Sequence, residues 1–262
     1  MGLLPTWMRD AVMPLYESRV IKGLAGMEPP RHVGIMLDGN RRWARAAGHR
    51  DVAEGYRVGG AKVGEFLGWC QDAGVEHVSL FMLSDDNMAG RPEKELVPLL
   101  GIIQDTVAGL AASGMPWRVR VIGSLDLLPA EHAAALKEAA AATEARGGML
   151  VDVAVGYGGR REIVDAVRTA FRRHIEAGGD PAELADTIDI DHISANLYNS
   201  HGADRTDLII RTSGEQRLSG FLLWQSAYSE MYFEDVCWPD FRRVDFLRAL
   251  RSYGLRERRF GK

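Results

Sequence analysis

The sequence contains few cysteines, no long apolar run and no excess of positive charge, and each absence narrows the class of protein. Only Cys70 and Cys237 occur among 262 residues, far apart and without metal-ligand spacing, so neither a disulfide framework nor a cysteine metal site is expected. No apolar stretch approaches the roughly 20 residues that a membrane-spanning helix needs, and the N-terminus has no secretory hydrophobic segment. A reducing cytoplasm is the expected compartment, with at most peripheral membrane contact.

The charge balance argues against nucleic acid as a partner. The chain has 32 Lys and Arg against 36 Asp and Glu, a formal net charge of -4, so it carries no broad basic field. An anionic ligand would have to be held by local clusters of arginine. Hydrophobic residues make up 46% of the chain, which is sufficient for a large buried core.

Short apolar runs of strand length alternate with helical patterns along the chain. This alternation predicts an α/β fold, a single domain with a central, mostly parallel sheet flanked by helices. We expect residues 1–30 to form an N-terminal helical extension, with an amphipathic helix over Trp7–Leu24, and residues 31–262 to form the main domain. The patterns also predict a loop over Ser84–Pro92 and helices over Pro129–Arg146 and Phe221–Ala227.

The stretch from His32 to Trp43 combines a buried strand, a sharp turn and the start of a helix. The apolar run ends at Asp38, and Gly39 and Asn40 tolerate the positive φ of a tight turn. A carboxylate followed by exposed backbone N–H groups and two guanidinium groups suits a metal-bound phosphate. The competing interpretation is an ordinary strand-to-helix turn with a solvated arginine pair, and this stretch alone favours it.

Other polar segments follow other predicted strands. Ligands of parallel sheets bind beyond the carboxyl ends of the strands, so we expect these segments to share one rim with Asp38. They are Ser84–Arg91, Gly156–Arg160 and the segment that begins at Arg211.

The segment from Arg211 to Ser219 is the second candidate site. Arg211 and Arg217 could cradle a diphosphate through forked hydrogen bonds, and Glu215 could hold an arginine in position. A polar loop with a local ion pair is the alternative. The third candidate, Ser84-Asp85-Asp86-Asn87, could position a substrate or simply cap the helix before Pro92, and neither use is favoured.

Together these motifs resemble the cis-prenyltransferases, the family of undecaprenyl diphosphate synthase. The resemblance runs from about His32 to the C-terminus, and within the family it is strongest to the short-chain actinobacterial type that makes Z-farnesyl diphosphate. The motifs that carry it are Met36–Ala44, Ser84–Asn87, Gly156–Arg160, Arg211–Ser219, Phe221–Glu230 and Trp238–Phe241.

The resemblance implies a Mg²⁺-dependent enzyme that joins an allylic diphosphate, geranyl or dimethylallyl, to isopentenyl diphosphate and makes a Z product near C15. Asp38 would hold the metal and assist departure of the diphosphate. Asn87 matches the position assigned to proton removal, but an amide is a poor base, so we expect it to orient the substrate. The implied substrate-binding residues are Gly39, Asn40, Arg41, Arg42, Trp43, Arg50, Ser84, Asp85, Asp86, Met88, Arg91, Arg211, Arg217, Leu218 and Ser219.

The resemblance also implies a homodimer. Glu230 would reach the metal of the partner's site, and Arg259 and Gly261 would complete the neighbouring subunit's isopentenyl site. Met82 and Leu83 would line the hydrocarbon tunnel, where the bulk of Met82 predicts a short product.

Several positions depart from the family pattern. The loop Gly48–Tyr56 is one residue longer than usual, Tyr56 replaces a histidine, and Arg50 is the nearest equivalent of a family arginine. Met88 replaces a common aromatic residue, and Arg91 follows one residue later than usual.

Two other functions stay open. One is irregular, lavandulyl-type coupling or cyclisation of prenyl diphosphates, which the altered segment Asp85–Arg91 permits. The other is a non-catalytic accessory subunit of a cis-prenyltransferase complex. Joint retention of the motif residues argues against the accessory role; these are Asp38, Asn87, Arg211, Arg217, Glu230 and the Arg259-Phe260-Gly261 tail.

Overall fold

A six-stranded parallel sheet forms the centre of the protein in a computed structural model, which describes residues 17–199 and 205–256. The strand order is β3-β4-β2-β1-β5-β6, and every neighbouring pair is parallel. The predicted α/β class with a central parallel sheet is therefore confirmed. The strands are β1 (His32–Met36), β2 (His77–Ser84), β3 (Arg118–Ile122), β4 (Leu150–Tyr157), β5 (Leu208–Arg211) and β6 (Glu230–Phe233).

Helices connect the strands and cover the sheet. They are α1 (17–24), α2 (Asn40–Ala46), α3 (Ala53–Asp72), α4 (Asp85–Gly90), α5 (Glu93–Ala111), α6 (Ala130–Ala141), α7 (Gly159–Glu176), α8 (Pro181–Thr187), α9 (Ile190–Ser194) and α10 (Arg243–Gly254). No helix in the described part of the chain is long and apolar enough to cross a bilayer.

The two faces of the sheet bury alternate residues of each strand. In β1, Val33 and Ile35 join the larger core cluster with α3, α5 and α10, whereas Met36 joins the smaller cluster on the opposite face. All five residues of β1 are buried, as expected for a central strand covered on both faces. The carboxyl ends of β1, β2 and β5 therefore meet at one edge of a rigid sheet.

Three secondary-structure predictions were wrong. The predicted loop Ser84–Pro92 contains the helix α4, because Ser84 Oγ accepts the Asn87 N–H at 3.0 Å and caps its first turn. The helix predicted over Pro129–Arg146 ends at Ala141. Phe221–Ala227 forms turns rather than a helix, since Leu222 takes a left-handed φ of 46°. Of the predicted helix Trp7–Leu24, only residues 17–24 lie within the described part, and these are helical.

Candidate active site

A cavity of about 570 Å³ opens at the carboxyl ends of β1, β2 and β5. Its size is within the usual range for a small-molecule site. The structure thus brings Asp38, residues of the Ser84–Arg91 segment and Arg211 to one rim. Gly156–Arg160, which we expected there too, does not line the cavity; Gly158 instead packs against the Asp85 carboxylate.

The cavity has a cationic part and an apolar part. Six arginines and three carboxylates supply its charge: Arg41, Arg42, Arg45, Arg91, Arg211 and Arg217 with Asp38, Asp86 and Glu215. Its apolar lining is Met36, Leu37, Phe81, Met82, Leu83, Leu99, Ile102, Ile103 and Trp238. Because Leu83, Ile103 and Trp238 are buried in the core, this part extends inward from the charged residues. Such an arrangement suits an amphiphile with an anionic head and a hydrocarbon tail.

Asp38 and Arg211 form an ion pair at the centre of the rim. Arg211 Nη2 donates to Asp38 Oδ2 at 2.8 Å, and its Nη1 donates to Ser219 Oγ at 2.9 Å and to the carbonyl of Arg217. The Arg211 side chain is only 4% exposed, whereas that of Asp38 is 39% exposed. The buried guanidinium therefore fixes an accessible carboxylate and the loop that carries Arg217 and Ser219.

Thr212 holds Asp38 in place from the backbone side. Its hydroxyl contacts the carbonyl of Asp38 at 2.8 Å and that of Met36 at 3.1 Å, and the Asp38 N–H lies 3.0 Å from the same oxygen. These contacts tie the ends of β1 and β5 together just before the turn.

Arg42 joins the first candidate segment to the second. Its guanidinium donates to the Ser213 carbonyl at 2.8 Å and pairs with Glu215 at 3.1 Å, and Glu215 also pairs with Arg217. Glu215 thus pairs with two arginines of the site. The two segments thus form one site.

The turn after Asp38 needs glycine both in the turn and in the helix packed against it. Gly39 has a φ of 100°, the left-handed region in which side chains are strained. On α3, a Cβ added at Gly55 would lie 2.1 Å from the Asn40 carbonyl oxygen, and one at Gly59 would lie 2.3 Å from Asn40 Oδ1. The absence of side chains at these glycines lets α3 approach the turn.

The helix α4 directs some residues of the third candidate segment into the cavity and others away from it. Asp86, Asn87 and Ser84 line the cavity, and Arg91 follows at the end of the helix, four residues after Asn87. Asp85 points elsewhere, since its carboxylate lies 3.5 Å from Arg161 of α7.

Comparisons with known proteins decide the family. A family model described as "Putative undecaprenyl diphosphate synthase" matches residues 35–261. The chain belongs to the undecaprenyl diphosphate synthase family. It is 61% identical to isoprenyl transferase 2 of Streptomyces coelicolor, over 97% of this chain and 98% of that protein. It is 49% identical to a (2Z,6E)-farnesyl diphosphate synthase of Mycobacterium tuberculosis, over 100% of both chains.

A solved structure has a similar fold. It is lavandulyl diphosphate synthase from Lavandula x intermedia in complex with dimethylallyl diphosphate. The TM-score is 0.82 and the identity 34%, over 89% of this chain and 99% of that one.

Some implied site residues of this family member lie outside the cavity. Trp43 donates to Asp240 at 2.9 Å and stacks on His49, and Arg50 is exposed in a bend. Met88 and Leu218 pack against the two core clusters. Glu230 begins the edge strand β6 and pairs with Arg256. Arg259 and Gly261 lie outside the described residues.

The structure adds residues to the family site that sequence reasoning missed. Arg45 lines the cavity one turn after Arg41 on α2, a spacing that places both on one helix face. Tyr56 also lines it, and Thr212 positions Asp38. The i, i+4 spacing could have identified Arg45, whereas the role of Thr212 depends on strand pairing.

The site fits a magnesium ion brought with a diphosphate rather than an all-protein cage. Among residues 17–199 and 205–256, no three acidic, histidine or cysteine side chains converge on a common point. Asp38 Oδ1 accepts the Gly39 N–H at 2.7 Å and Oδ2 accepts from Arg211, so each oxygen retains lone-pair capacity. Mg²⁺ typically takes one or two carboxylates together with phosphate oxygens and water, which suits Asp38.

Proposed function

We propose that the protein is a Mg²⁺-dependent, short-chain cis-prenyltransferase. It condenses an allylic diphosphate, geranyl or dimethylallyl, with isopentenyl diphosphate and releases a Z-prenyl diphosphate near C15. The observation that carries the proposal is the single cavity in which arginines surround Asp38 beside an apolar interior. The named activity of the 49% identical farnesyl diphosphate synthase supports the chain length and the Z geometry.

Each of the two substrates would bind to one of the two segments that Arg42 connects. The turn Asp38–Arg42 binds the allylic diphosphate, and Arg211, Arg217 and Ser219 bind isopentenyl diphosphate. Ser84, Asp86 and Asn87 orient the reacting ends where the charged and apolar parts meet. Arg91 belongs to the diphosphate-binding set.

The reaction needs positive charge at one end of the cavity and an apolar, water-excluding lining at the other. The C–O bond of the allylic substrate breaks, the new C–C bond forms to isopentenyl diphosphate, and a diphosphate oxygen accepts the proton that is lost. A bound Mg²⁺ would neutralise charge on the leaving diphosphate. The guanidinium groups favour the same separation of charge, and the apolar lining keeps water from the carbocation.

We propose that the enzyme works as a cytoplasmic homodimer. Glu230 lies outside its own cavity on the edge strand β6, a position from which it can serve a partner's site. Its pairing with Arg256 would then hold it until the partner binds. Sedimentation equilibrium should give a mass near twice the 28.9 kDa of the chain.

Irregular coupling of two dimethylallyl units is the second candidate. The lavandulyl diphosphate synthase structure supports it, because its fold matches with a TM-score of 0.82. The higher identity to the farnesyl diphosphate synthase favours regular coupling.

One assay separates these functions. The purified protein is incubated with Mg²⁺ and isopentenyl diphosphate plus dimethylallyl, geranyl or farnesyl diphosphate, and in a further arm with dimethylallyl diphosphate alone. We expect a Z-C15 product that EDTA abolishes. A C10 product from dimethylallyl diphosphate alone would establish irregular coupling. No turnover by the folded protein in any arm would contradict both.

A further inference from the structure

Arg91 is held at a defined place by the end of α4. Its backbone N–H donates to the Asn87 carbonyl at 3.1 Å and closes the last turn of the helix. Arg91 and Asn87 both line the cavity. The later position of Arg91 in the sequence therefore does not remove it from the site.

Tyr56 of α3 fixes the other end of the Arg91 side chain. Its hydroxyl accepts a hydrogen bond from Arg91 Nη1, and Arg91 Cζ lies 5.5 Å from the centroid of its ring. That distance is within the range of a cation–π contact. Tyr56 is 7% exposed and packed in the core, so it offers a rigid anchor.

The contact with Tyr56 leaves the charge of Arg91 uncompensated. Four of the six cavity arginines, Arg41, Arg42, Arg211 and Arg217, each pair with a carboxylate within 4.0 Å. In the part of the chain that the structure describes, Arg91 has no such partner, and its Nε is buried without a hydrogen-bond acceptor. A guanidinium with spare donors at the wall of a cavity is suited to an anionic ligand.

The position of Tyr56 indicates which substrate Arg91 serves. Tyr56 lies between Gly55 and Gly59, the two residues of α3 that pack against Asn40 of the turn after Asp38. That turn belongs to the allylic side of the proposed site, whereas Arg211–Ser219 forms the other side.

We propose that Tyr56 is a positioning residue that holds Arg91 as an unpaired cation for the diphosphate of the allylic substrate. This inference rests on the proposed function for the identity of that substrate. A tyrosine hydroxyl suits the task because, unlike a carboxylate, it accepts from Arg91 without cancelling the charge of the guanidinium. The two departures from the family pattern, at Tyr56 and at Arg91, are thus linked, because the two side chains contact each other.

Steady-state kinetics of Tyr56→Phe test the proposal. The variant keeps the ring and removes only the acceptor, so we expect the KM for geranyl diphosphate to rise about tenfold, with the KM for isopentenyl diphosphate and kcat within about twofold of wild type. Arg91→Ala should raise the same KM at least as much. The double variant should equal Arg91→Ala alone, because Tyr56 acts through Arg91. Additive effects, or equal changes in both KM values, would overturn the proposal.

The matched control is Tyr253→Phe, which removes a hydroxyl from an equally buried tyrosine of α10 outside the cavity. It should leave both KM values unchanged. Calorimetric titration with inorganic diphosphate and Mg²⁺ adds a readout that needs no turnover, and Tyr56→Phe should bind about tenfold more weakly than wild type. Unchanged binding would refute the role of Tyr56. If Tyr56→Phe binds inorganic diphosphate more weakly but the wild-type protein shows no turnover, the proposed reaction is wrong and the role of Tyr56 still holds.

Discussion

Met82 is the cavity residue whose size bears most directly on the product. It lies on β2 next to the end of the strand, half-buried, and the adjacent Leu83 is fully buried. Both line the apolar part of the cavity. A long thioether at this point occupies space that a growing hydrocarbon chain would otherwise enter.

Replacement of Met82 by alanine should lengthen the product. The smaller side chain opens volume in the apolar part, so we expect products at least one isoprene unit longer, resolved by chromatography after dephosphorylation. Met115→Ala is the control, because Met115 is 41% exposed and lies outside the cavity. An unchanged product length in Met82→Ala would show that Met82 does not limit the chain.

The start of α7 and the turns after Ser219 form the element that fixes the second substrate segment. The Gly159 N–H donates to the Gly220 carbonyl at 2.9 Å. Glu162, fully buried, accepts from the Tyr157 hydroxyl, from the Tyr198 N–H at 3.0 Å and from Gln225 Nε2 at 3.2 Å. Burial raises the pKa of Glu162 even though these donors oppose the rise.

Removal of the Glu162 carboxyl should destabilise the fold. Glu162→Ala removes the acceptor of the Tyr157 hydroxyl and of the Tyr198 N–H, and it leaves Gln225 Nε2 with Asn199 Oδ1 as its remaining acceptor. We therefore expect a loss of about 3 kcal/mol in the free energy of unfolding. Urea denaturation measures it. Glu176→Ala, an exposed residue at the other end of α7, should change stability by less than about 0.5 kcal/mol. A similar small loss in Glu162→Ala would contradict the anchoring role.

The elements also show where sequence patterns succeed and fail. Apolar runs such as the one that ends at Asp38 predict strands because a buried parallel strand must be apolar on both faces. The helix α4 was missed because polar Asp85–Asn87 and Gly90 are typical of loops. Phe221 and Leu222 have helical composition, but both are fully buried, and the left-handed backbone at Leu222 depends on tertiary packing.

Part of the site could be predicted from the sequence because its residues lie at or just after the carboxyl ends of predicted strands. Asp38 follows β1, Arg42 lies at the start of the next helix and Arg211 ends β5, so the parallel topology brings them to one edge of the sheet. The direction of Asp85 toward Arg161 and of Trp43 toward Asp240 depends on neighbours distant in sequence.

At the scale of the whole molecule, the end of the sheet opposite the cavity carries a buried polar cluster. His32 and His77 stack with ring centroids 3.7 Å apart, and Asp152 accepts from His77 Nε2 and Arg120 Nε, each at 2.7 Å. Burial lowers the pKa of His32 to about 3, and His77 adds to this effect. Burial opposes ionisation of Asp152, but His77 and Arg120 outweigh it and lower its pKa to about 2.

This cluster should make the protein sensitive to acid. The unfolded chain protonates His32 near pH 6.5, whereas the folded protein does not do so until about pH 3, so stability falls as pH falls through 6.5. The loss between pH 7.5 and pH 5 from His32 is about 2 kcal/mol. Asp152 adds a further loss only below its ordinary pKa of about 4.

Urea denaturation at a series of pH values measures this dependence. His32→Asn should flatten the slope between pH 7.5 and pH 5. His132→Gln, which removes a histidine bonded to Gln104 on the helical layer, should retain the wild-type slope. Equal slopes in His32→Asn and wild type would place the acid sensitivity elsewhere.

The most direct test of the account is the turnover of Asp38→Ala with geranyl and isopentenyl diphosphates and Mg²⁺. The variant removes the accessible carboxylate that Arg211 fixes at the centre of the cavity, so we predict that kcat/KM falls by at least about 10³-fold while the circular dichroism spectrum stays that of the folded protein. Asp72→Ala, at the far end of α3 beside Arg243, should keep full activity. Wild-type turnover by folded Asp38→Ala would contradict the placement of the reaction in this cavity.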